Sequence, residues 1–504
     1  MMERCETAWA KGQAARAWEK PELLTISEAD ISGFLEDPRL ADYRIYIERI
    51  LRLRTHTLSE EGERIIALYE EGEEAFANTR LALNADMDAD LGTIETSEGE
   101  IELRKDMNWR KLMNESPNRE IRRKVYEKNK ARWESIKTTL ASFRATAVKL
   151  DVIRARACGY PSARAAALFP DNIGEEVYDN LIATVSENLE PVHRYYGLRK
   201  RVLGLPDLRE YDLRVPLAGS VKRKTTWNEA VGILCDALGP LGGEYVSTLR
   251  SGLLGRWADR YKSLGKADRL SCFHNYGSDP RIIMQHDEDI PDHIGCLAHE
   301  SAHAMHAWHG MRANPFRQYR ESDFEGETAA FFHEELLFRY MMKTVSNNKE
   351  LRLHILNDRV ELLIHMLYIH TMYAEFAHIM HRLEESGIPL TLDIQCGEYN
   401  KLLAKYRGPE FVVDDSNSVI SHYHVCFHLY TYAIGNCAAM ALADRVLNGG
   451  ESERSDYLKF LKSGGSRFPM DSLKLAGVDM SCPEPIQAAC RVFAELVDEL
   501  ERLL

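Results

Sequence analysis

The means for a disulfide framework are the first thing this sequence lacks. Ten cysteines are scattered through 504 residues, at positions 5, 158, 235, 272, 296, 396, 426, 437, 482 and 490, with no C-x-x-C pair among them. That pattern reads as reduced thiols, which excludes a stapled secreted scaffold and points to a cytoplasmic protein. A basic excess is also missing. Sixty-four Lys and Arg stand against 78 Asp and Glu, a net charge of −14, so the electrostatic footprint of a nucleic-acid binder is absent. The first residues, MMERCETAWAKGQ, hold no apolar core, so no secretory signal is expected. Uninterrupted apolar runs are lacking too. Ser416 to Ala443 contains no Asp, Glu, Lys or Arg, but His422, Tyr423, His424, His428, Tyr430, Tyr432 and Asn436 load it with polar groups. Such groups are costly in lipid, so a buried helix beside a polar cavity is expected there and a membrane span is not. No internal repeat and no low-complexity linker is found.

What is present is an ordinary globular composition, 45% hydrophobic and 28% charged, in a chain long enough for two or three lobes. Helical periodicity runs through residues 1–80, 107–203 and from 331 onward. It breaks at 84–103, where alternation in TIETSEGEIEL predicts a short hairpin. Residues 208–218 read as extended, and a division into 1–205 and 206–504 is expected. Two short apolar runs, Leu270–Tyr276 and Arg281–Gln285, read as strands of a small sheet.

Residues 293–310, HIGCLAHESAHAMHAWHG, follow that sheet and carry His299-Glu300-Ser301-Ala302-His303. On a helix, positions i and i+4 share a face, so two imidazoles can meet one metal ion with Glu300 beside its water. This H-E-x-x-H pattern marks zinc hydrolases when it lies on an amphipathic helix. Ile294, Leu297, Ala298, Ala302 and Met305 supply the buried face, Asp292 a candidate N-cap, and Gly310 with Pro315 a stop. Catalytic zinc takes three protein ligands and one open position. The third ligand is sought in ESDFEGETAAFFHEELLFRY. Glu327 lies on a predicted helix with Glu334 two turns on, able to hold a ligand histidine, and Glu325 is expected before that helix and ranks lower. His306 is expected to be a hydrogen-bonding wall residue, and Cys296 a structural thiol.

Several segments together resemble oligoendopeptidase F, of the M3 family of zinc peptidases. They are LAHESAHAMH (297–306), ETAAFFHEELL (327–337), HYHVCFHLYTYAIG (422–435) and YLKFLKSGGSRFPMDSLKLAGVDMSCPEP (457–485). The resemblance implies a mainly α, zincin-like fold with two lobes around a deep substrate channel and a small sheet beside the zinc helix. It implies one Zn²⁺ per chain on His299, His303 and Glu327, Glu300 as general base, and Glu334 behind a ligand. It further implies a His and Tyr set for the oxyanion and the substrate. His422, Tyr430 and Tyr432 match that set, and His428 and Tyr423 are expected at the substrate. His428 stands where the pattern usually has Tyr, and Ser301 where it usually has Gly. The implied activity is endopeptidase cleavage of short unstructured oligopeptides, without a nucleic-acid or membrane partner. An exopeptidase of carboxypeptidase type and a weakly active peptide-binding homologue are the alternatives.

Overall fold

The computed structural model describes residues 8, 11–12, 15–87, 91–97, 99–103, 109–217, 224–263, 266, 270–288, 293–414 and 426–504. It is mostly helical. Chain contacts divide it into two compact units. One comprises Met1–Ala167, Arg199–Pro216 and Glu375–Phe427, and the other Leu168–Leu198, Leu217–Ala374 and His428–Leu504.

In the first unit, helices Glu19–Thr25, Glu28–Leu35, Arg44–Arg52 and Glu60–Met87 precede the hairpin. Strands β1 (Thr93–Thr96) and β2 (Gly99–Glu102) pair antiparallel, with Ile94 opposite Ile101. The alternation TIETSEGEIEL puts Ile94 on the inner face, where it joins Leu91, Leu103, Ile121 and Val125 in one buried cluster. Ile121 and Val125 are a turn apart on helix α1 (Arg119–Glu134), so one stripe of the helix seats the hairpin.

Within the expected extended stretch 208–218, the described residues 208–217 depart from that reading. Glu210–Asp212 form a 3-10 turn, and only Leu208 makes a strand-like bridge, to Phe411. The cause is Asp212. Fully buried, it accepts from the Arg209 backbone N–H at 3.1 Å, from Arg119 at 2.7 Å and from Arg122 at 2.9 Å. Satisfying a buried carboxylate this way fixes the turn locally, which no apolar pattern reveals. Asp212→Ala would leave the buried Arg122 without its counter-charge. The expected loss of stability is about 3–5 kcal/mol in urea unfolding, and a loss below about 1 kcal/mol would refute this role.

The second unit holds helix α2 (Gly243–Leu254) and then a three-stranded sheet of β3 (Ala258–Tyr261), β4 (Ser271–Phe273) and β5 (Arg281–His286). The order is β3-β5-β4, parallel between β3 and β5 and antiparallel between β4 and β5. The two expected strands are there. The third, Ala-Asp-Arg-Tyr, has no apolar run to announce it and joins through a long-range parallel pairing. Helix α3 (His293–Ala313) packs against β4 and β5, helix α4 (Asp323–Thr344) packs along α3, and α5 (Tyr430–Asn448) along α4. Helix α6 (Glu451–Ser463) also lies on α3.

On α3 the predicted stripe Ile294, Leu297, Ala298, Ala302 and Met305 is buried throughout. The predicted stop is displaced. The helix runs through Gly310 to Ala313, and a Cβ at Gly310 would stand 2.6 Å from the Tyr319 carbonyl oxygen. Gly310 therefore permits a close chain return. The end is made instead by Asn314, whose side-chain amide donates to the Gly310 carbonyl at 2.9 Å and to that of Lys462 at 2.7 Å. The proposed N-cap Asp292 lies outside the described residues. No described helix is long and apolar enough to cross a membrane.

Candidate metal centre and active site

The helical spacing of α3 puts His299 and His303 one turn apart, with Nε2 atoms 3.3 Å from each other. Helix α4 brings Glu327 Oε2 to 3.6 Å from His299 Nε2. One ligand atom from each of His299, His303 and Glu327 lies within 4.8 Å of the others. Close approach of the two helices depends on Gly326, where a Cβ would stand 3.3 Å from His303 Nδ1. Glu334 occupies the same face of α4 two turns after Glu327. Its Oε1 accepts from His299 Nδ1 at 2.7 Å, which leaves the Nε2 lone pair of a neutral His299 facing His303 and Glu327.

Glu325 does not precede the helix. It is the third residue of α4 and closes a capping box, accepting from the Ser322 N–H at 3.0 Å and the Ser322 hydroxyl at 2.8 Å. That duty and its complete burial separate it from Glu327.

The charge balance of this cluster is unusual. Among the described residues, Glu300, Glu327 and Glu334 each keep one buried oxygen without a hydrogen-bond partner. Burial raises the pKa of Glu300, Glu334 adds to the rise, and His299 opposes it. Burial likewise lifts Glu327 to about 7, against the pull of His299. At His299 burial works downward, but the Glu334 hydrogen bond and the charges of Glu334, Glu327 and Glu300 outweigh it and hold the ring at about 9. His303 is pushed well below its ordinary value by burial and by neighbouring histidines, so it is neutral. Three crowded carboxylates with orphaned oxygens are costly unless a cation joins them. The donor set suits zinc. Ligands about 2.0–2.1 Å from a tetrahedral ion stand about 3.3–3.4 Å apart, the separation of the two imidazole nitrogens.

The remaining expected residues are dispersed. Tyr430 and Tyr432 are two apart on α5 and so point to nearly opposite faces. Tyr430 is buried against Tyr178, ring centroids 5.2 Å apart, and its pKa is raised by that burial. Tyr432 meets Phe331 at 6.5 Å, and Phe331 in turn meets His299 edge-on at 5.8 Å. His428 packs edge-on against Tyr432 at 5.6 Å. His422 and Tyr423 lie outside the described residues.

Three other histidines behave in ways the sequence did not announce. His306 is fully buried beside Phe460, and neither ring nitrogen has a hydrogen-bond partner among the described residues, which departs from the hydrogen-bonding wall residue expected. His333, also buried, accepts from the Tyr245 hydroxyl at Nε2 (2.7 Å), while Nδ1 faces Ser301 Oγ at 3.2 Å and the Ala298 carbonyl at 3.3 Å. Ser301, at the position where glycine was expected, thereby joins a polar tie behind the motif helix. His370 packs on Tyr432 at 5.0 Å and follows a π-helical stretch, Ile364–Ile369. None of these pairings has a local sequence signal except the serine itself.

Comparisons with known proteins identify relatives of this chain. A family model described as Peptidase family M3 matches residues 112–492, and one described as Oligopeptidase F matches residues 22–88. Oligopeptidase PepF of Bacillus subtilis is 36% identical over 501 residues, covering 98% of this chain and 74% of that protein. An oligoendopeptidase F homolog of Borreliella burgdorferi is 32% identical over 491 residues, covering 96% and 81%. Among solved structures, oligoendopeptidase-F from Enterococcus faecium superposes with a TM-score of 0.79 at 29% identity, covering 99% of this chain and 85% of that one. The M3 model runs across both helices that carry the His, His and Glu cluster, and the chain belongs to peptidase family M3.

Proposed function

We propose that this metallopeptidase is a zinc-dependent endopeptidase acting on internal bonds of short, unstructured oligopeptides. The observation that carries the reading is the convergence of His299, His303 and Glu327 with Glu334 bonded behind His299. The names of the relatives, oligopeptidase and oligoendopeptidase, support the substrate size.

His299, His303 and Glu327 would hold the ion. Bound there, zinc supplies Lewis acidity for the scissile carbonyl and lowers the pKa of a water. The chain's own residues do the rest. Glu300, with one unpartnered oxygen and a pKa raised by burial, takes the proton from the attacking water and passes it to the departing amine. Glu334 fixes the His299 tautomer so that Nε2 is the free donor atom. Of the two tyrosines, we assign the oxyanion role to Tyr432, since Tyr430 is committed to Tyr178. His422, Tyr423 and His428 are proposed to line the substrate.

Glu334→Gln keeps an acceptor for His299 Nδ1 but removes the charge. Zinc affinity is expected to fall about 10–100-fold, read by competition with a chromophoric chelator. Unchanged affinity would remove Glu334 from the centre. The endopeptidase reading is tested by mass spectrometry of a peptide blocked at both ends beside its unblocked form. Interior cleavage of both is expected. Trimming of the unblocked peptide alone would make the protein an exopeptidase.

A further inference from the structure

Away from the metal cluster, the second unit contains a cleft of about 610 Å³ lined by residues of α2, the end of α3, and α6. One wall is aromatic. Tyr245 and His309 stack with ring centroids 5.6 Å apart, and Trp308 meets His309 edge-on at 4.8 Å. That wall is preformed, because the Tyr245 hydroxyl is already engaged with His333. The rim is cationic. Arg312 lies over Trp308 at 4.0 Å and donates to the Trp308 carbonyl at 3.4 Å. Neither Arg312 nor Lys462 has a carboxylate partner among the described residues. Arg454 is paired with Glu451, and Glu244 is the other acid at the rim. His309 keeps a buried Nε2 without a partner among the described residues. Burial, then the charges of Lys462 and Arg312, hold its pKa down to about 4, and both cations line the cleft. The start of α2, at Gly242 and Gly243, has no side-chain cap and lines the same space.

We propose that this cleft binds a small anion carrying a flat apolar group, with Arg312 and Lys462 on the anionic oxygens and Trp308, Tyr245 and Leu458, which lines the cleft from α6, on the apolar part. Preorganised aromatic walls lower the ordering cost of such a ligand, and paired cations select its charge. A terminal carboxylate and a phosphate ester share this chemistry. The site is independent of the hydrolytic reading above.

The test is calorimetric titration of the full chain with N-acetyl-phenylalanine, phenyl phosphate and the neutral N-acetyl-phenylalaninamide. At least one charged probe is expected to bind, at least about tenfold more tightly than the amide. The stronger of the two names the source, carboxylate or phosphate. The double variant Arg312→Ala and Lys462→Ala should weaken that binding at least about tenfold while hydrolysis of a blocked peptide and the Tm stay unchanged. Binding that persists in the double variant, equal binding of the amide, or no heat from either charged probe up to about 10 mM would overturn the proposal.

Discussion

Glu300→Gln is expected to lower kcat about 10²–10⁴-fold while the protein still binds one zinc per chain. Glutamine keeps the size of the side chain and one acceptor oxygen, so α3 and its packing should survive. What is lost is the basic site. Glu300 lies at 7% exposure, and burial raises its pKa toward the range in which a carboxylate both accepts and returns a proton. An exposed glutamate would be a weaker base. Steady-state kinetics with metal analysis on the same sample checks this. A variant within about tenfold of wild type would show that the proton moves elsewhere.

His303→Ala is expected to weaken zinc more than the roughly 10–100-fold assigned to Glu334, because it removes a ligand and not its support. His303 is the histidine held neutral without help, by burial and by neighbouring rings. His299 differs, since its carboxylate neighbours hold a proton on it up to about 9. His299 must give up that proton before Nε2 can serve as a ligand, so zinc binding should release protons and strengthen as pH rises from 6 toward 9. Calorimetry in buffers of different ionisation enthalpy reads the released protons directly. Zinc affinity independent of pH, or retained in His303→Ala, would place the ion on other ligands.

How much of this is legible in the sequence varies by kind of interaction. The spacing His299 to His303, the apolar stripe behind it, and the two turns from Glu327 to Glu334 are local periodicities, and a helix converts them directly into geometry. The preference for Glu327 over Glu325 rested on Glu325 preceding the helix, whereas Glu325 lies in its first turn and is set apart by its capping bonds to Ser322. In contrast, the third strand Ala258–Tyr261 pairs in parallel with Ile282–His286, far along the chain, and its sequence is too polar to stand out. Gly310 looked like a stop because glycine usually ends helices, yet here it makes room for the Tyr319 carbonyl. The Ser301–His333–Tyr245 tie crosses three helices, so its members carry no mutual spacing. Tyr430 and Tyr432 both match the catalytic set in sequence, and only the packing separates them, Tyr432 toward Phe331 and Tyr430 against Tyr178.

The central claim is that an ion on His299, His303 and Glu327 is required for hydrolysis of internal peptide bonds. The most direct measurement uses an internally quenched peptide of about eight to ten residues, a length suited to strand-like docking in a cleft, blocked at both ends. Cleavage is followed before chelation, after exhaustive chelation, and after stoichiometric zinc is restored. Interior cleavage that disappears with the metal and returns with one equivalent is the predicted result. Cleavage that persists in demonstrably metal-free protein would contradict the claim.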